Sequence, residues 1–491
     1  MNFKNLCSIL FMVMIPLMMT CCNTDDDMLV DSTNPAGVPL YYMDYLQEIE
    51  EKIQKEFLLS EPLSDAFTFI TDVHYPFVNG SGFKIMRHLL DNTPIDKAIC
   101  GGDINGVKAT DYGDDASIIE AISKTRILYE RDCALVRASG KPMFSVRGNH
   151  DYALKKKSGT DGNSSWFSDW TSTRNIIMNS MEQYGIVTNY DDNKACYFYI
   201  DYPARKLRYI YVDAVDTNEK YGEDNNSMVI GLTDIQIQWL VEQAVMTTPQ
   251  DYDLVFISHI CPEAIAGGRE TIDGINNASF KKLSGMLNAI QEKTVLNITL
   301  NSVVKTYDLT SYKPNILLYK SGHVHCDGIA WYGYWAYATG CEWANGGNKL
   351  AETKEYVYFG IDTSRNTETA KGTIYESLVD AILINGRKNV LSFRIGAGVN
   401  RIFQQHQIVI SSGSTIALES SLGNNVKWWC YDSQKYGDGQ EWYQTVLKND
   451  SAEISANTGI LSAKAAGYVT VMAYDEDKNT IEYFGVKVED G

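Results

Sequence analysis

The sequence predicts a layered α/β domain followed by a small all-β sandwich, and three observations carry that expectation. Short apolar runs of strand length alternate with stretches whose apolar residues recur at helical spacing. Beyond about residue 403 the pattern changes to short alternating strands separated by turn residues. With 491 residues, the chain also exceeds what one hydrophobic core usually supports. Apolar residues at 44% and charged residues at 21% are the proportions of an ordinary globular chain.

Taken in order, residues 1–20 read as a targeting segment. Lys4 supplies a positive start, and the apolar stretch 9–19 is too short for a comfortable membrane span. It ends in Thr20-Cys21-Cys22 and then Asn23-Thr24-Asp25-Asp26-Asp27, which resembles a bacterial lipoprotein signal with Cys21, or else Cys22, as the acylated residue. The resemblance implies a lipid anchor and an extracytoplasmic, outer-membrane location, and the aspartates resemble a surface-export signal. Loss of residues 1–20 removes one charge, Lys4, and takes the net charge from −19 to −20. So acidic a chain is a poor partner for a nucleic-acid backbone. Seven cysteines beyond residue 22, an odd number set in apolar runs as at Cys100 and Cys196, indicate isolated buried thiols rather than a disulfide framework.

Residues 21–45 read as an acidic linker, and residues 46–402 as the main domain. Helical spacing runs over 41–59 and again over 115–137. Residues 196–200 and 207–212, with Pro203-Ala204 between them, predict a hairpin. Thr233-Asp234-Ile235-Gln236 is a capping-box pattern that opens a helix to about residue 244.

The chemistry-bearing residues sit at the ends of the apolar runs. Residues 66–70 lead to Asp72-Val73-His74, and strand alternation turns the carboxylate and the imidazole to one side. Residues 98–100 lead to Gly101-Gly102-Asp103, and residues 142–146 to Arg147-Gly148-Asn149-His150-Asp151. The run 254–258 ends at His259, and 316–319 leads to Gly322-His323-Val324-His325. A lone His259 would more often be an interior histidine, and a lone Asp103 a turn or helix cap. Five of the seven histidines in these clusters are hard to reconcile with packing alone.

In order, these clusters resemble the motifs D-x-H, G-D, G-N-H-[DE], H and G-H-x-H of the calcineurin-like metallophosphoesterases, over residues 66–330. The resemblance implies a two-sheet αββα sandwich with two metals at strand ends. Asp72, His74 and His325 would hold one metal; Asn149, His259 and His323 would hold the other; Asp103 would bridge them. It also implies hydrolysis of a small phosphate ester, mono- or diester, by a hydroxide bridging the metals. His150 would act as proton donor near the leaving oxygen, with Asp151 orienting its ring. Imidazole, carboxylate and amide donors without a thiolate suit manganese, iron or zinc.

Three loops, 152–174, 216–232 and 261–275, could shape the pocket. Lys155-Lys156-Lys157 reads there as a solvated basic run, and Trp166 with Trp170 as a packed pair. Residues 331–343 predict a strand pair with packed aromatics. Strand 390–395 should close the main domain. Residues 403–491 then resemble a bacterial Ig-like domain of the second group, a spacer or adhesion module whose aromatics hint at glycan or surface contact. The competing function is a surface-binding protein with a silent metal domain; a nuclease would use the same metals but meets the acidic charge.

Overall fold

The strand Asp65–Ile70 is buried along its whole length, and two sheets are organised around it. The computed structural model describes residues 34–75, 80–107, 114–151, 154–158, 164–168, 174, 177–178, 180–192, 194–216, 230–261, 277–323, 327–340, 372–396, 398–433 and 450–491. Residues 1–33, where the lipoprotein signal is expected, lie outside that description. No described helix is long and apolar enough to cross a membrane.

In the first sheet Asp65–Ile70 pairs parallel with Ala98–Cys100, which pairs parallel with Met143–Ser145. The helices Ser81–Asn92 and Asp115–Arg137 make the two crossovers. On its other side Asp65–Ile70 pairs antiparallel with Leu378–Asn385, followed outward by Asn389–Gly396 and Asn400–Gln404. The second sheet runs Gly328–Trp331, Trp335–Ala338, Ile316–Ser321, Asp253–Ser258, Leu207–Val212, Phe198–Tyr202 and Val187–Thr188.

Strand pleating explains how the layers are glued. Tyr209, Tyr211, Val255 and Ile257 pack against Phe67 and Phe69 between the sheets. Their alternating neighbours Ile210, Val212, Leu254 and Phe256 face Ile237, Leu240, Leu283 and Leu287 on the far side. These last belong to the helical segments Asp234–Trp239, Leu240–Val245 and Asn277–Glu292. Helices Met43–Leu58 and Ser81–Asn92 lie against strands of the first sheet. The result is helix, sheet, sheet, helix, with a later all-β region.

Sequence reading and structure agree closely over helix Asp115–Arg137, whose cap Asp114 accepts a hydrogen bond from the Ser117 amide at 2.9 Å. The predicted hairpin is present as Phe198–Tyr202 and Leu207–Val212 around a 3-10 turn at Pro203–Arg205. The strand pair predicted over 331–343 lies a few residues earlier, as Gly328–Trp331 with Trp335–Ala338, and residues 341–343 are outside the described residues. The basic run lies in a hairpin of Leu154–Ser158 and Ser164–Ser168; its side chains and Trp170 are outside the described residues. Among the described residues Cys100, Cys133, Cys196, Cys261 and Cys430 are buried free thiols.

The boundary expected between residues 402 and 403 falls inside strand Asn400–Gln404, and the first sheet continues through it. Thr480–Glu489 pairs parallel with Asn400–Gln404 and then with Ile408–Ser411. Gly467–Asp475 and Lys427–Asp432 complete that sheet. A smaller sheet of Thr415–Ala417, Ile460–Ala463 and Ala452–Ile454 packs over it through Leu418, Leu461, Val469, Val471 and Val486.

Candidate metal centre

Strand ends deliver the polar residues to one place. The Asp72 amide donates to the Gly102 carbonyl at 2.9 Å, the His74 amide to Asp103 at 2.9 Å, and the Gly322 amide to the His259 carbonyl at 2.9 Å. Adjacent loops are therefore stitched by their own backbones before any ligand is considered. Asp72, His74, Asp103 and His323 have φ of 53°, 51°, 51° and 72°, a region that L-residues rarely occupy. Each such residue costs roughly 1–3 kcal/mol, which the surrounding loops must offset.

Glycine is required where these loops touch. A Cβ at Gly148 would collide with the backbone nitrogen and Oδ1 of Asp103, and one at Gly322 with Thr71 Oγ1. That contact places Asp103 Oδ1 2.8 Å from the His150 amide, which donates to it. Asp72 Oδ2 accepts from Thr71 Oγ1 at 2.7 Å and from the His323 amide at 2.9 Å.

Two donor groups result, Asp72 with His74 and Asp103, and Asp103 with His259 and His323. Within each group the ligand atoms lie within 4.8 Å of one another, and Asp103 belongs to both. His259 Nδ1 lies 2.8 Å from the Gly101 carbonyl, which directs Nε2 to 3.1 Å from Asn149 Oδ1 and 3.2 Å from Asp103 Oδ2. His74 is oriented likewise by Nδ1 against the Asn105 carbonyl at 3.3 Å. Such outer bonds set which ring nitrogen faces a cation. The donors are hard oxygens and imidazole nitrogens, a set that fits a divalent metal pair of the manganese, iron or zinc kind. His325, predicted as a further ligand, lies outside the described residues, as does Cys326.

The electrostatics are those of a cation site. Burial alone would raise the Asp103 carboxyl, but His259, His150 and His74 overcome that and hold it well below the usual carboxylate range. Burial would depress His259, yet the Asp103 charge lifts it to about 9. Asp72, Asp103, Asn149 and His259 are buried, whereas His150 and His323 are partly exposed and mark the side open to solvent. The rings of His150 and His74 stand edge to face at 5.2 Å.

Asp151 does something other than orient the His150 ring. Its Oδ1 accepts from the amides of Ile104 at 2.7 Å and Asn105 at 3.1 Å, and its Oδ2 from the Gly148 amide at 2.8 Å. The carboxylate ties the Asp103 loop to the Asn149 loop. Burial, then the Asp103 charge, push it up to about 7 against those amide bonds. Backbone amides crowd the short turn, so the side chain folds back on them instead of reaching the imidazole.

Sequence reasoning did not name Thr71 or Asp213, and it gave Arg147 and Gln236 no part in the site. Arg147 Nε donates to Asp213 Oδ1 at 3.2 Å, and a second guanidinium nitrogen to Asp213 Oδ2. A signal existed for Asp213, which ends the apolar strand Leu207–Val212 as Asp72 and His259 end theirs.

The family model of the calcineurin-like phosphoesterases matches residues 66–327 of this sequence. No curated protein matches the chain. Solved structures do, among them a dimetal phosphatase from Danio rerio at 13% identity and a TM-score of 0.43, covering 68% of this chain and 97% of that one.

Proposed function

The chain belongs to the calcineurin-like phosphoesterase family, and we propose that it is a metal-dependent hydrolase of small phosphomonoesters or phosphodiesters that works with two divalent cations. The observation that supports this best is Asp103 standing in both donor groups. Asp72, His74 and His325 would hold one cation, and Asn149, His259 and His323 the other. When bound, such a pair makes hydroxide available near neutral pH and neutralises charge on phosphate oxygens.

The chain's own residues account for the rest of the chemistry. His150 faces the open side, with its backbone fixed on Asp103. There it gives a proton to the departing oxygen. Asp151 and the motif glycines hold the loops at the contact distance that one shared carboxylate requires.

Hydrolysis of p-nitrophenyl phosphate and bis-p-nitrophenyl phosphate, with manganese or chelator and beside Asn149→Ala, tests this reading. Metal-dependent turnover lost in the variant is the expected result, and the ratio of the two substrates gives the ester class. Turnover that survives chelation would sink it. The acidic surface, −19 overall, favours small esters over nucleic acid, and a plasmid-nicking assay should stay negative. We place the protein outside the cytoplasm, on the outer membrane through a lipid on Cys21, or on Cys22. Labelled fatty acid should enter the parent protein and not Cys21→Ser; label retained there but lost in Cys22→Ser would move the anchor by one residue. Glycan or surface contact would fall to residues 403–491.

A further inference from the structure

Between the anchor points Arg147 and Asp151 lie only Gly148, Asn149 and His150. The downstream anchor is the Asp151 carboxylate on three amides. The upstream anchor is a buried ion pair, and its geometry is more than local. Arg147 and Asp213 are both fully buried and joined by two hydrogen bonds. Arg147 leaves the end of a first-sheet strand, while Asp213 follows Leu207–Val212 of the second sheet. The pair therefore pins the two sheets together directly upstream of Asn149.

Asp213 is itself held from both sides by one fully buried amide side chain. Its nitrogen donates to Gln236 Oε1 at 2.9 Å, and Gln236 Nε2 donates to its carbonyl oxygen at 2.9 Å. Gln236 in turn donates to Asp216 at 3.1 Å, and its amide bonds the capping Thr233 hydroxyl at 3.1 Å. A run of directional contacts thus leads from a helix start through Gln236 and Asp213 to Arg147. Stability gives little reason for charges here, because an apolar pair of similar volume is commonly as stable as a buried ion pair. Direction is what an apolar pair could not supply. A guanidinium on a carboxylate fixes an orientation, and that orientation is passed to a segment whose next residues are a glycine and two working side chains.

We propose that Arg147 and Asp213, braced by Gln236, are positioning residues that set where Asn149 and His150 stand relative to Asp103 and His259. The inference rests on the two-cation reading above and deepens it. It predicts that loss of the pair weakens metal binding and turnover more than it weakens the fold.

Two variants test it: Arg147→Lys, which keeps the charge but not the two-pronged geometry, and the double variant Arg147→Met with Asp213→Leu, which removes the desolvation cost and should fold. Manganese chloride is titrated into metal-free full-length protein by calorimetry, with circular dichroism at the same temperature as the folding control. In each folded variant the affinity for manganese should fall roughly 10–100-fold. kcat on bis-p-nitrophenyl phosphate should fall with it, while KM changes little. A folded variant that binds manganese as tightly as the parent overturns the proposal. If the double variant does not fold, Arg147→Lys decides by the same criterion. A parent protein that binds none of manganese, iron(II) or zinc in the same titration would instead overturn the two-cation reading, so the two failures are distinguishable.

Discussion

His150 shows how much of the site's behaviour is settled at a single side chain. Its neighbour Asn149 is buried against His259, whereas His150 is partly open to solvent and its backbone is locked to Asp103. In the proposed reaction, His150 acting as a general acid would contribute roughly 10²–10⁴-fold to turnover. His150→Ala should lose that much in kcat while manganese stoichiometry by calorimetry stays as in the parent. Full turnover in the variant, with metal content unchanged, would remove the role. The clusters that meet at the candidate centre were legible in the sequence because Asp, His and Asn sit together at strand ends. The duty of Asp151 was not legible, since a carboxylate beside a histidine reads the same whether it faces the ring or the backbone. Only the folded turn, with the Ile104, Asn105 and Gly148 amides around that carboxylate, decides.

Among the elements, several written in local signals were read, while others, two amphipathic helices included, were missed. Thr233 caps Asp234–Trp239 as its sequence pattern predicts, accepting from the Gln236 amide at 3.1 Å. The reciprocal half of the capping box is absent, because the Gln236 side chain bonds Asp213 and Asp216. A tertiary partner has won over a local one. Thr233→Ala should lower the unfolding free energy by about 1 kcal/mol, read from urea unfolding of the metal-free protein; an unchanged midpoint would mean the cap contributes nothing. Helices Ser81–Asn92 and Asn277–Glu292 and strands Leu378–Asn385 and Thr480–Glu489 were not foreseen. Leu378–Asn385 hides a buried aspartate, Asp380, whose partners Arg394 and Tyr337 arrive from other strands. Thr480–Glu489 forms a local hairpin with Gly467–Asp475, but it also pairs with residues about 80 positions earlier in the chain, as Asn400↔Thr480 shows. No short window of sequence carries such information.

At the scale of the whole molecule, the space between the sheets is partly ionic. Lys320, Arg394 and Arg401 meet Asp327 and Asp380 there, all five buried. Lys320 lies 3.4 Å from the Tyr337 ring centroid and 4.4 Å from that of Phe69. Burial drives its pKa down to about 7, although Asp380 and Asp327 oppose the fall. The unfolded value is about 10.4. Below about pH 7 both states hold the proton, and the cost of a buried charge is felt in full. Between about pH 7 and 10 the unfolded chain binds more protons than the folded one, so this residue makes stability rise with pH. Relative to Lys320→Met, the metal-free parent should gain up to about 1.4 kcal/mol per unit across that window. Parallel pH profiles of urea unfolding for the two proteins would contradict this.

The same scale decides whether residues 403–491 are separable. Trp331 and Trp335 are both fully buried in the core between the sheets, together with Phe403, Tyr431, Met472, Ile481 and Tyr483. Gly485 has no side chain because a Cβ there would enter the Trp331 ring. The Trp331 amide donates to Thr470 Oγ1 at 3.0 Å, and the Trp335 indole to the Gln404 carbonyl at 2.9 Å. Thr480–Glu489 also covers the edge of Asn400–Gln404 that would otherwise offer unpaired backbone groups. Removing residues 403–491 would therefore expose two tryptophans, each worth on the order of 1.5–3 kcal/mol of burial, and open a sheet edge. A loss of about 3–6 kcal/mol is a large part of a net stability that is usually about 5–15 kcal/mol. The full chain should melt in a single calorimetric transition, and a protein ending at residue 402 should melt far lower or aggregate through its open edge. Two well-separated transitions in the full chain, or a truncated protein with the parent's melting temperature and turnover, would show that the later region is only appended. In that event the aromatic contacts at Trp331 would be incidental to the site's stability.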